Sequence, residues 1–539
     1  MHVPPQDKLY IGGEWVAPAG GATEAVINPA TEAVIGHAAL AGPAEIEAVL
    51  ASARDAFDRG PWPRMTMVQR AALIGAMCDW IDTRADPLRN LIAAETGSIQ
   101  PFARSMQFAT GLQHARHYLE LALRQAPQPL PLEPVALPGG TTMVGGGLMV
   151  REPVGVCLAI TPFNVPFTLN LGKAVPALVM GNTVILKPSP LTPFSALILA
   201  EAADAAGLPS GVFNVVNGDL AVGETLTTDP RVDLVTFTGS DRVGAAIQAQ
   251  AAPTLKRCIM ELGGKSALIL RTDGDLDAAA RAALGSLTIH ARQACAALTR
   301  LVVHNSIRPQ FVARLAELFR AVKIGDPADP ATRMGPLIRA AARDRVEKLV
   351  GSALADGAKL VTGGRIPAEF DRGFFYEPTL FDDVDNCWRV AQEEAFGPLG
   401  VVIGFDSDIE ESLTTLVSQF GDVNVEVADL VGLELLGLFP VRFGQTADPV
   451  PLQAAMQRGP RQMWDDVLQH DVDIVQWKSC LYAQGNNSGF FHGREDGAAT
   501  LPWPHRQVFD RPPLAPLQDG LLVDPVSLRE PRDRSLRSL

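Results

Sequence analysis

The feature that most constrains the fold is a regular alternation of short apolar runs with helical segments between about residues 150 and 270. The apolar runs, rich in Val, Ile and Leu, occupy residues 154–160, 182–187, 212–216, 232–237 and 266–270. The segments between them with helical character are residues 174–180, 196–207 and 241–251. Such alternation predicts a parallel sheet with helices on both faces, because parallel strands need crossover connections. We therefore predict an α/β fold.

The regions on either side of this stretch have different patterns. Residues 42–125 carry apolar residues at helical spacing, with one helix opening at Pro43 and a second long helical pattern over residues 68–92. A second α/β stretch runs from about residue 271 to residue 408. After Asp408 the alternation stops, and the last 40 residues are rich in Pro and Arg, which is typical of disordered segments.

Charge, hydropathy and cysteine spacing exclude several classes of function. A net charge of −14 disfavours a nucleic-acid or anionic-membrane partner, since both require a basic surface. The longest apolar stretch, residues 154–180, is interrupted by polar residues and prolines, and the N-terminus shows no signal-peptide pattern, so we predict no membrane segment. The six cysteines form no CxxC pair or Cys/His cluster. We predict a cytoplasmic protein without a metal site.

The strongest local motif is VDLVTFTGSDRVGAAI at residues 232–247. An apolar strand meets a tight turn at Thr238, Gly239 and Ser240, and a helix follows with Gly244 one turn in. The start of such a helix offers backbone N–H groups and a positive dipole to a phosphate. A glycine turn in any strand–helix unit is the alternative, because the usual GxGxxG pattern is absent.

Two residues are candidates for covalent and acid–base chemistry. Glu261 lies in MELGGKSA against two glycines, where a partly desolvated carboxylate serves as a general base; a solvated loop glutamate is the alternative. Cys295 lies between a helical run and a strand. A thiol there is either a nucleophile or a small buried apolar residue, and the second reading holds for the other five cysteines.

Three further motifs place polar groups near strand ends. Asn164 in ITPFNVPF can donate to an oxyanion, or take part in a proline-flanked turn. Lys187 in VILKPSPLTP can meet a ribose or phosphate, or lie on the surface. Glu394 beside Phe396 in QEEAFGP can accept from hydroxyls, or belong to an acidic helix end.

Taken in order, these motifs resemble those of the aldehyde dehydrogenase superfamily, of the NAD(P)-dependent, non-acylating type. They are LYIGGEWVAPAGG, INPATEAVIG, FDRGPWPRM, ETG, TPFN, GKAVPALVMGNTVILKPSPLTP, GLPSGVFNVV, FTGS, MELGGKS, QAC, MGPL and EEAFGP. The resemblance covers roughly residues 8–408, about three quarters of the chain.

The resemblance implies the domain organisation and the reaction. It implies a Rossmann-type cofactor domain, a β arm for oligomer contacts, an α/β catalytic domain and then a divergent tail. Their bounds are, respectively, residues 1–127 with 151–260, residues 128–150, residues 261–408 and residues 409–539. The implied reaction oxidises a small aldehyde to a carboxylic acid with NAD or NADP through a cysteine thioester, in a homodimer or homotetramer.

The resemblance also implies a role for each matching residue. Cys295 matches the thiol nucleophile, Glu261 the base that activates water, and Lys173 an internal lysine near the site. Asn164 matches the side-chain half of an oxyanion hole whose other half is the Cys295 N–H. The implied cofactor contacts are Ile160, Thr161, Pro162, Phe163, Lys187, Gly223, Phe237, Thr238, Gly239, Ser240, Gly244, Leu262, Gly263, Glu394 and Phe396.

Three positions depart from the family pattern inside the matching region. Arg292 stands where the family usually has glycine, and His290 stands where it has asparagine. An arginine there either lowers the pKa of the nearby thiol or crowds its loop. Pro190 stands where many NAD-preferring members carry an acid for the ribose hydroxyls, which leaves the choice between NAD and NADP open.

The largest departure begins after residue 408. The family's Asn-Asp, Tyr-Gly-Leu and Pro-Phe-Gly-Gly segments do not follow, which indicates a shifted reading frame or a fused foreign tail. We predict that residues from about 409 onward do not form the closing segment of the catalytic domain, so that apolar surface and a sheet edge stay uncovered. A catalytically impaired dinucleotide-binding remnant is therefore the alternative function. A CoA-acylating enzyme is disfavoured, because Glu261 supplies a base for water.

Overall fold

The computed structural model describes residues 4–406, so the prediction for the tail lies outside the described residues. The strands of this part are β1 (Leu9–Ile11), β2 (Glu14–Val16), β3 (Thr23–Ile27), β4 (Val34–Ala39), β5 (Gln128–Pro129), β6 (Glu133–Ala136), β7 (Thr142–Gly145), β8 (Leu148–Met149), β9 (Val156–Ile160), β10 (Thr183–Lys187), β11 (Phe213–Val215), β12 (Leu234–Gly239), β13 (Arg257–Leu262), β14 (Ala267–Leu270), β15 (Arg300–His304), β16 (Lys359–Thr362), β17 (Thr379–Asp382) and β18 (Leu399–Phe405).

The α-helices of the same residues cover both faces of the larger sheets. They are α1 (Pro43–Asp58), α2 (Met67–Asp82), α3 (Ala85–Thr96), α4 (Gln100–Phe102), α5 (Thr110–Leu123), α6 (Pro166–Val179), α7 (Phe194–Ala205), α8 (Leu220–Thr228), α9 (Asp241–Ala251), α10 (Leu276–Thr288), α11 (Arg308–Arg320), α12 (Ala340–Asp356) and α13 (Arg389–Gln392). A π-helical turn, Ala103–Ala109, joins α4 to α5, and a kinked turn, Ile289–Arg292, follows α10.

The first large sheet has the strand order β13-β12-β9-β10-β11-β1-β2. Strands β9 to β13 are mutually parallel, and β1 and β2 add an antiparallel edge. The four apolar runs predicted within residues 154–237 correspond to β9, β10, β11 and β12. Because β9 lies between β10 and β12, the chain reverses its winding there. A cleft therefore opens outside the carboxyl ends of β9 and β12.

Alternate residues of β9 explain why this sheet is buried on both faces. Val156 and Leu158 pack into one apolar cluster with residues of α1 and α8. Cys157 and Ala159 pack into another with residues of α2, α5, α6 and α7. Successive side chains of a strand point to opposite faces, so a continuous apolar run such as VCLAI suits only a central strand covered on both sides.

One predicted helix is two helices in the structure. The apolar periodicity of residues 68–92 predicts a continuous helix, but α2 ends at Asp82 and α3 begins at Ala85. Pro87 accounts for the break, because it has no N–H to donate to the carbonyl of Thr83 and its ring would clash with that carbonyl. Proline is tolerated in the first turn of the new helix, where its N–H would have no partner in the helix.

The second large sheet has the order β14-β15-β18-β17-β16, with β16 antiparallel to an otherwise parallel set. Its strand β14 follows β13 of the first sheet after a link of only four residues, 263–266. The carboxyl edge of the first sheet therefore continues directly into the amino edge of the second. Loops that precede β15 and β18 consequently lie beside the cleft of the first sheet.

Residues 128–150, predicted as a β arm, contain two small antiparallel ladders. Strand β5 pairs with β8, and β6 pairs with β7. Several of its apolar side chains are exposed in this chain, among them Leu132 at 72%, Val144 at 60% and Leu148 at 65%. A two-stranded ribbon is marginally stable at best by itself.

Candidate active site

Four predicted site residues end neighbouring strands of the first sheet. Ile160 ends β9, Lys187 ends β10, Gly239 ends β12 and Leu262 ends β13. The register aligns Lys187 and Phe237 with Ile160 and aligns Gly239 with Leu262. These ends share one edge of the sheet, at the point where its winding reverses.

The turn between β12 and α9 is built as the sequence predicts. The Ser240 side chain accepts a hydrogen bond from the Val243 N–H and caps α9, so the first turn of this helix faces the cleft with backbone N–H groups. A Cβ on Gly244 would lie 2.6 Å from Leu262 Cδ2. Glycine is required there because α9 lies directly against the end of β13.

Lys187 is a buried cation beside this turn. Burial lowers its pKa to about 8, against the opposing effect of Asp219 and Glu24. A Cβ on Gly223 would lie 3.6 Å from the Lys187 Cε, so α8 approaches the lysine stem closely. The predicted cofactor contacts Lys187 and Gly223 are therefore neighbours in the structure.

Glu261 lies near one buried group and one half-buried group whose pKa values respond to its charge. It is the penultimate residue of β13, not a loop residue, and it is aligned with Thr238. Its charge raises the pKa of Lys173 against the larger effect of burial, which lowers that pKa to about 8. Its charge also adds to the burial that raises the pKa of Tyr118. The side chain itself is exposed, so the partial desolvation expected of a general base is not provided by residues 4–406.

The Lys173 ammonium is held in place by a hydrogen bond to a residue of β12. Its Nζ donates to the Thr236 Oγ1 at 2.9 Å, across α6 and β12. Thr161 is fixed in a similar way, since its hydroxyl donates to Asn170 Oδ1 at 2.7 Å. Both contacts bind α6 to the strand ends that carry the predicted site residues.

Cys295 lies in an exposed turn before β15. The chain reaches this turn through three consecutive residues with left-handed backbone: His290 with φ 47°, Ala291 with φ 51° and Arg292 with φ 59°. Left-handed backbone is unfavourable for residues with a Cβ. It persists where the surroundings determine it, and such positions cluster at functional sites.

A buried hydrogen-bond chain connects Asn164 to the Cys295 loop. The Asn164 side-chain amide donates to the carbonyl oxygen of Gln293 at 2.8 Å. The Gln107 amide donates to the Asn164 carbonyl oxygen at 2.8 Å, and Gln293 Oε1 accepts from the Ile338 N–H at 2.9 Å. Since an amide nitrogen carries two N–H groups, Asn164 has a second N–H group that this hydrogen bond does not use.

His290 supports the same loop from the protein interior. Its ring stacks on Phe102 with centroids 5.0 Å apart, and its Nδ1 lies 3.4 Å from the Ser98 hydroxyl. Burial lowers the pKa of His290 to about 4, so the ring is neutral at physiological pH. The histidine that replaces the family's asparagine therefore acts in packing and contributes no charge to the site.

Glu394 and Phe396 reach the cleft from the loop before β18. A Cβ on Gly263 would lie 2.1 Å from the Glu394 Oε2, so only glycine permits this approach. Phe396 makes an edge-to-face contact with Phe163, with ring centroids 5.7 Å apart. The loop after β9 and the loop before β18 therefore contact each other.

Several residues that support the site carry no sequence motif or were not predicted as site residues. Gln107 belongs to the π-helical turn Ala103–Ala109 and carries no motif of its own, so no pattern in the sequence singles it out. Arg345 on α12 donates to the Glu394 carbonyl oxygen, and Lys265 donates to the Val390 carbonyl oxygen at 2.9 Å. Lys265 lies within the MELGGKSA motif. A lysine among glycines and apolar residues was the sequence signal that could have identified it.

Comparison with known proteins decides the family. The model of the aldehyde dehydrogenase family matches residues 15–416. The chain belongs to the aldehyde dehydrogenase family. It is thereby an oxidoreductase that acts on aldehydes, as the motifs predicted.

Individual relatives of this aldehyde dehydrogenase agree with the assignment. A 3-succinoylsemialdehyde-pyridine dehydrogenase of a Pseudomonas species is 38% identical over 409 residues, which are 75% of this chain and 82% of the relative. An aldehyde dehydrogenase of Mycobacterium tuberculosis, solved with NAD+, superposes with a TM-score of 0.71 at 38% identity and covers 77% of this chain and 83% of its own. A betaine aldehyde dehydrogenase of Staphylococcus aureus, also solved with NAD+, superposes with a TM-score of 0.71 at 32% identity. The match covers 77% of this chain and 80% of that chain.

The described residues contain neither a membrane-spanning helix nor a group of metal ligands. Among residues 4–406, no helix has the length and apolar character needed to cross a bilayer. Within the same residues, no three His, Cys, Asp or Glu side chains are grouped as metal ligands.

Proposed function

We propose that this chain oxidises a small aldehyde to its carboxylic acid with NAD+ or NADP+ through a thioester on Cys295. The observation that carries the proposal is the contact between Asn164 and the Gln293 carbonyl, which brings the predicted oxyanion donor to the loop of the predicted nucleophile. The resemblance to relatives solved with NAD+ supports the cofactor class. No feature of residues 4–406 favours the impaired remnant over the enzyme.

The cleft suits a dinucleotide. Thr238 Oγ1 and Glu394 Oε1 are buried and have no hydrogen-bond partner among the described residues, so a bound polar ligand would satisfy both. The N-terminus of α9 would hold the pyrophosphate, Lys187 the adenosine ribose and Glu394 the nicotinamide ribose. A bound nicotinamide ring supplies the hydride acceptor for the oxidation.

The chain's own residues then divide the reaction into acylation and hydrolysis. The Cys295 thiolate attacks the aldehyde carbon and forms the C–S bond, while the carbonyl electron pair moves to oxygen. Asn164 and the Cys295 N–H hold that oxyanion. Loss of the hydride restores the C=O bond as a thioester. Glu261 takes a proton from water, the water oxygen attacks the thioester, and the C–S bond breaks to release the acid and the thiolate.

The exposure of Glu261 has a consequence for this second step. Hydration stabilises the charged form of an exposed carboxylate and so weakens it as a base. A bound substrate and cofactor would exclude that water from the cleft. We propose that Glu261 becomes an effective base only when the cleft is filled.

An aldehyde-dependent assay tests the proposed function directly. The purified full chain is expected to form NADH or NADPH at a rate that depends on aldehyde concentration, and to release one carboxylate for each reduced cofactor. A panel of aliphatic and aromatic aldehydes covers the unknown substrate. A chain that binds the dinucleotide but reduces none of it with any aldehyde of the panel would support the remnant instead.

We expect NADP+ to be accepted, because Pro190 offers no carboxylate to repel a 2′-phosphate beside Lys187. Since Lys187 has a pKa of about 8, its positive charge is present below that pH and lost above it. The Kd for NADP+ should therefore rise relative to that for NAD+, by up to about tenfold per pH unit above the pKa.

Binding titrations at several pH values measure this ratio, with Lys187→Met as the variant whose ratio should not change with pH. A preference for NAD+ of more than about a thousandfold, roughly 4 kcal/mol, near neutral pH would contradict the expectation.

We propose that residues 1–127 with 151–260 form the cofactor domain, that residues 261–408 form the catalytic domain, and that the enzyme is cytoplasmic.

We propose that the enzyme is a homodimer or homotetramer, which the exposed apolar residues of the β arm support. Light scattering of the purified chain measures that state, and a monomer at micromolar concentration would contradict it.

A further inference from the structure

Arg292 occupies a position that disfavours arginine in two ways. Its backbone is in the left-handed region with φ 59°, where glycine is favoured. Its side chain is completely buried, and burial lowers its pKa to about 10, so it still carries a charge at neutral pH. A buried cation persists only where hydrogen bonds and charges compensate it.

The compensation on one side comes from the loop of the nucleophile. Arg292 Nη2 donates to the Ala297 carbonyl oxygen at 2.8 Å and to the Thr299 Oγ1 at 2.9 Å. The guanidinium thus joins the residue three positions before Cys295 to residues two and four positions after it. The turn that carries the thiol is closed across its base by this one side chain, and the charge of Cys295 acts on Arg292.

On the other side, the negative charge of Glu394 compensates the positive charge of Arg292. Arg292 Nη1 lies 3.9 Å from Glu394 Oε1, and both atoms are buried without a hydrogen-bond partner among residues 4–406. Arg292 favours the ionised form of that carboxylate, whose pKa burial raises. The two charges attract each other, but neither is tied to the other by a hydrogen bond.

Two other cations act on Glu394 and contact different groups. Lys265 donates to the Val390 carbonyl oxygen, and Arg345 reaches the backbone carbonyl of Glu394 from α12. Neither of these two hydrogen bonds involves residues 297–299, to which Arg292 is bonded.

We propose that Arg292 is a positioning residue that couples Glu394 to the Cys295 loop, so that a change of charge or ligand at Glu394 changes the reactivity of Cys295. This inference rests on the proposed function, in which the ligand of Glu394 is the nicotinamide ribose. The Arg292 guanidinium is attracted by the Glu394 carboxylate on one side and by the Cys295 thiolate on the other. Hydroxyls that bind Glu394, or loss of its charge, weaken the first attraction and let the guanidinium move toward the thiolate.

The test measures alkylation of Cys295 by iodoacetamide near neutral pH, followed by mass spectrometry of the peptide that contains it. The parent, Arg292→Met, Glu394→Gln and the double variant form a cycle. Arg320→Met, at the exposed end of α11, is the matched control. We expect Arg292→Met to slow alkylation about tenfold, the effect of one pKa unit on the thiolate.

The Glu394→Gln substitution distinguishes coupling from simple packing. It is expected to speed alkylation about fivefold in the parent and to have no effect in the Arg292→Met background. Arg292→Lys, which keeps the charge, should retain most of the parent rate. Effects of the two substitutions that simply add, or an unchanged rate in Arg292→Met, would overturn the proposal.

Folding and function are separated by two further readouts. Thermal melts identify a variant that does not fold, and if Arg292→Met fails in this way, an unchanged alkylation rate in Glu394→Gln overturns the proposal alone. NAD+ binding to the same proteins tests the proposed role of Glu394. If the two substitutions show no coupling while NAD+ still binds, the coupling is refuted and the proposed function stands. If NAD+ does not bind, the proposed function is refuted instead.

Discussion

Replacement of Cys295 by alanine is expected to abolish aldehyde-dependent reduction of NAD(P)+, by about four orders of magnitude or more, as removal of a covalent nucleophile does elsewhere. The thiol is exposed in its turn, so its loss removes no core packing. The fold, measured by thermal melting, and the Kd for NAD+ should therefore stay near the parent values. The measurement is steady-state formation of reduced cofactor at saturating aldehyde.

Cys387 provides the matched control for this prediction. It is a second exposed cysteine, and its N–H donates to Asp385 Oδ1 at 2.8 Å in a loop that carries none of the predicted site residues. Cys387→Ala should keep parent activity. Residual turnover of Cys295→Ala within tenfold of the parent would show that another group forms the covalent bond, or that no covalent step occurs.

Glu261→Gln is expected to slow steady-state turnover by about 100-fold or more, the usual contribution of a general base. Acylation does not need this carboxylate, because the thiolate attacks and the hydride leaves before water enters. A rapid burst of reduced cofactor equal to the enzyme concentration should therefore survive. Stopped-flow absorbance separates the burst from the steady state.

The control for this prediction is Glu120→Gln on the exposed side of α5, which should change neither phase. Equal loss of burst and turnover in Glu261→Gln would assign Glu261 to the earlier step. The pairing of its charge with Lys173 makes that a definite alternative, since removal of Glu261 would change the charge of the lysine as well.

Residues 154–237 show why much of the fold could be predicted. The apolar runs of β9, β10, β11 and β12 are buried on both faces, so hydropathy alone marks them. β13 was not predicted as a strand, because its residues alternate between exposed and half-buried and its pattern is that of an edge strand. The break at Pro87 shows the same limit, since periodicity continues across a proline that the backbone cannot cross in helical form.

The site could be predicted where motif residues end strands, and not where the backbone or charge depends on distant partners. Lys187 and Gly239 lie at strand ends, so their convergence follows from parallel topology. The left-handed run through Arg292 has no such signal, because none of its residues is glycine. The hydrogen bond from Gln107 to Asn164 joins residues 57 positions apart, and no local pattern encodes such a contact.

The most direct test of the account is the chemical state of Cys295 during turnover. Glu261→Gln is mixed with NAD+ and an aldehyde that the parent oxidises, quenched with acid and digested, and the peptide containing Cys295 is weighed. We expect the acyl group of the substrate on Cys295, in an amount equal to the burst of NADH, and no such group in Cys295→Ala. NADH formed without an acyl group on Cys295, or with the acyl group on another cysteine, would contradict the thioester mechanism.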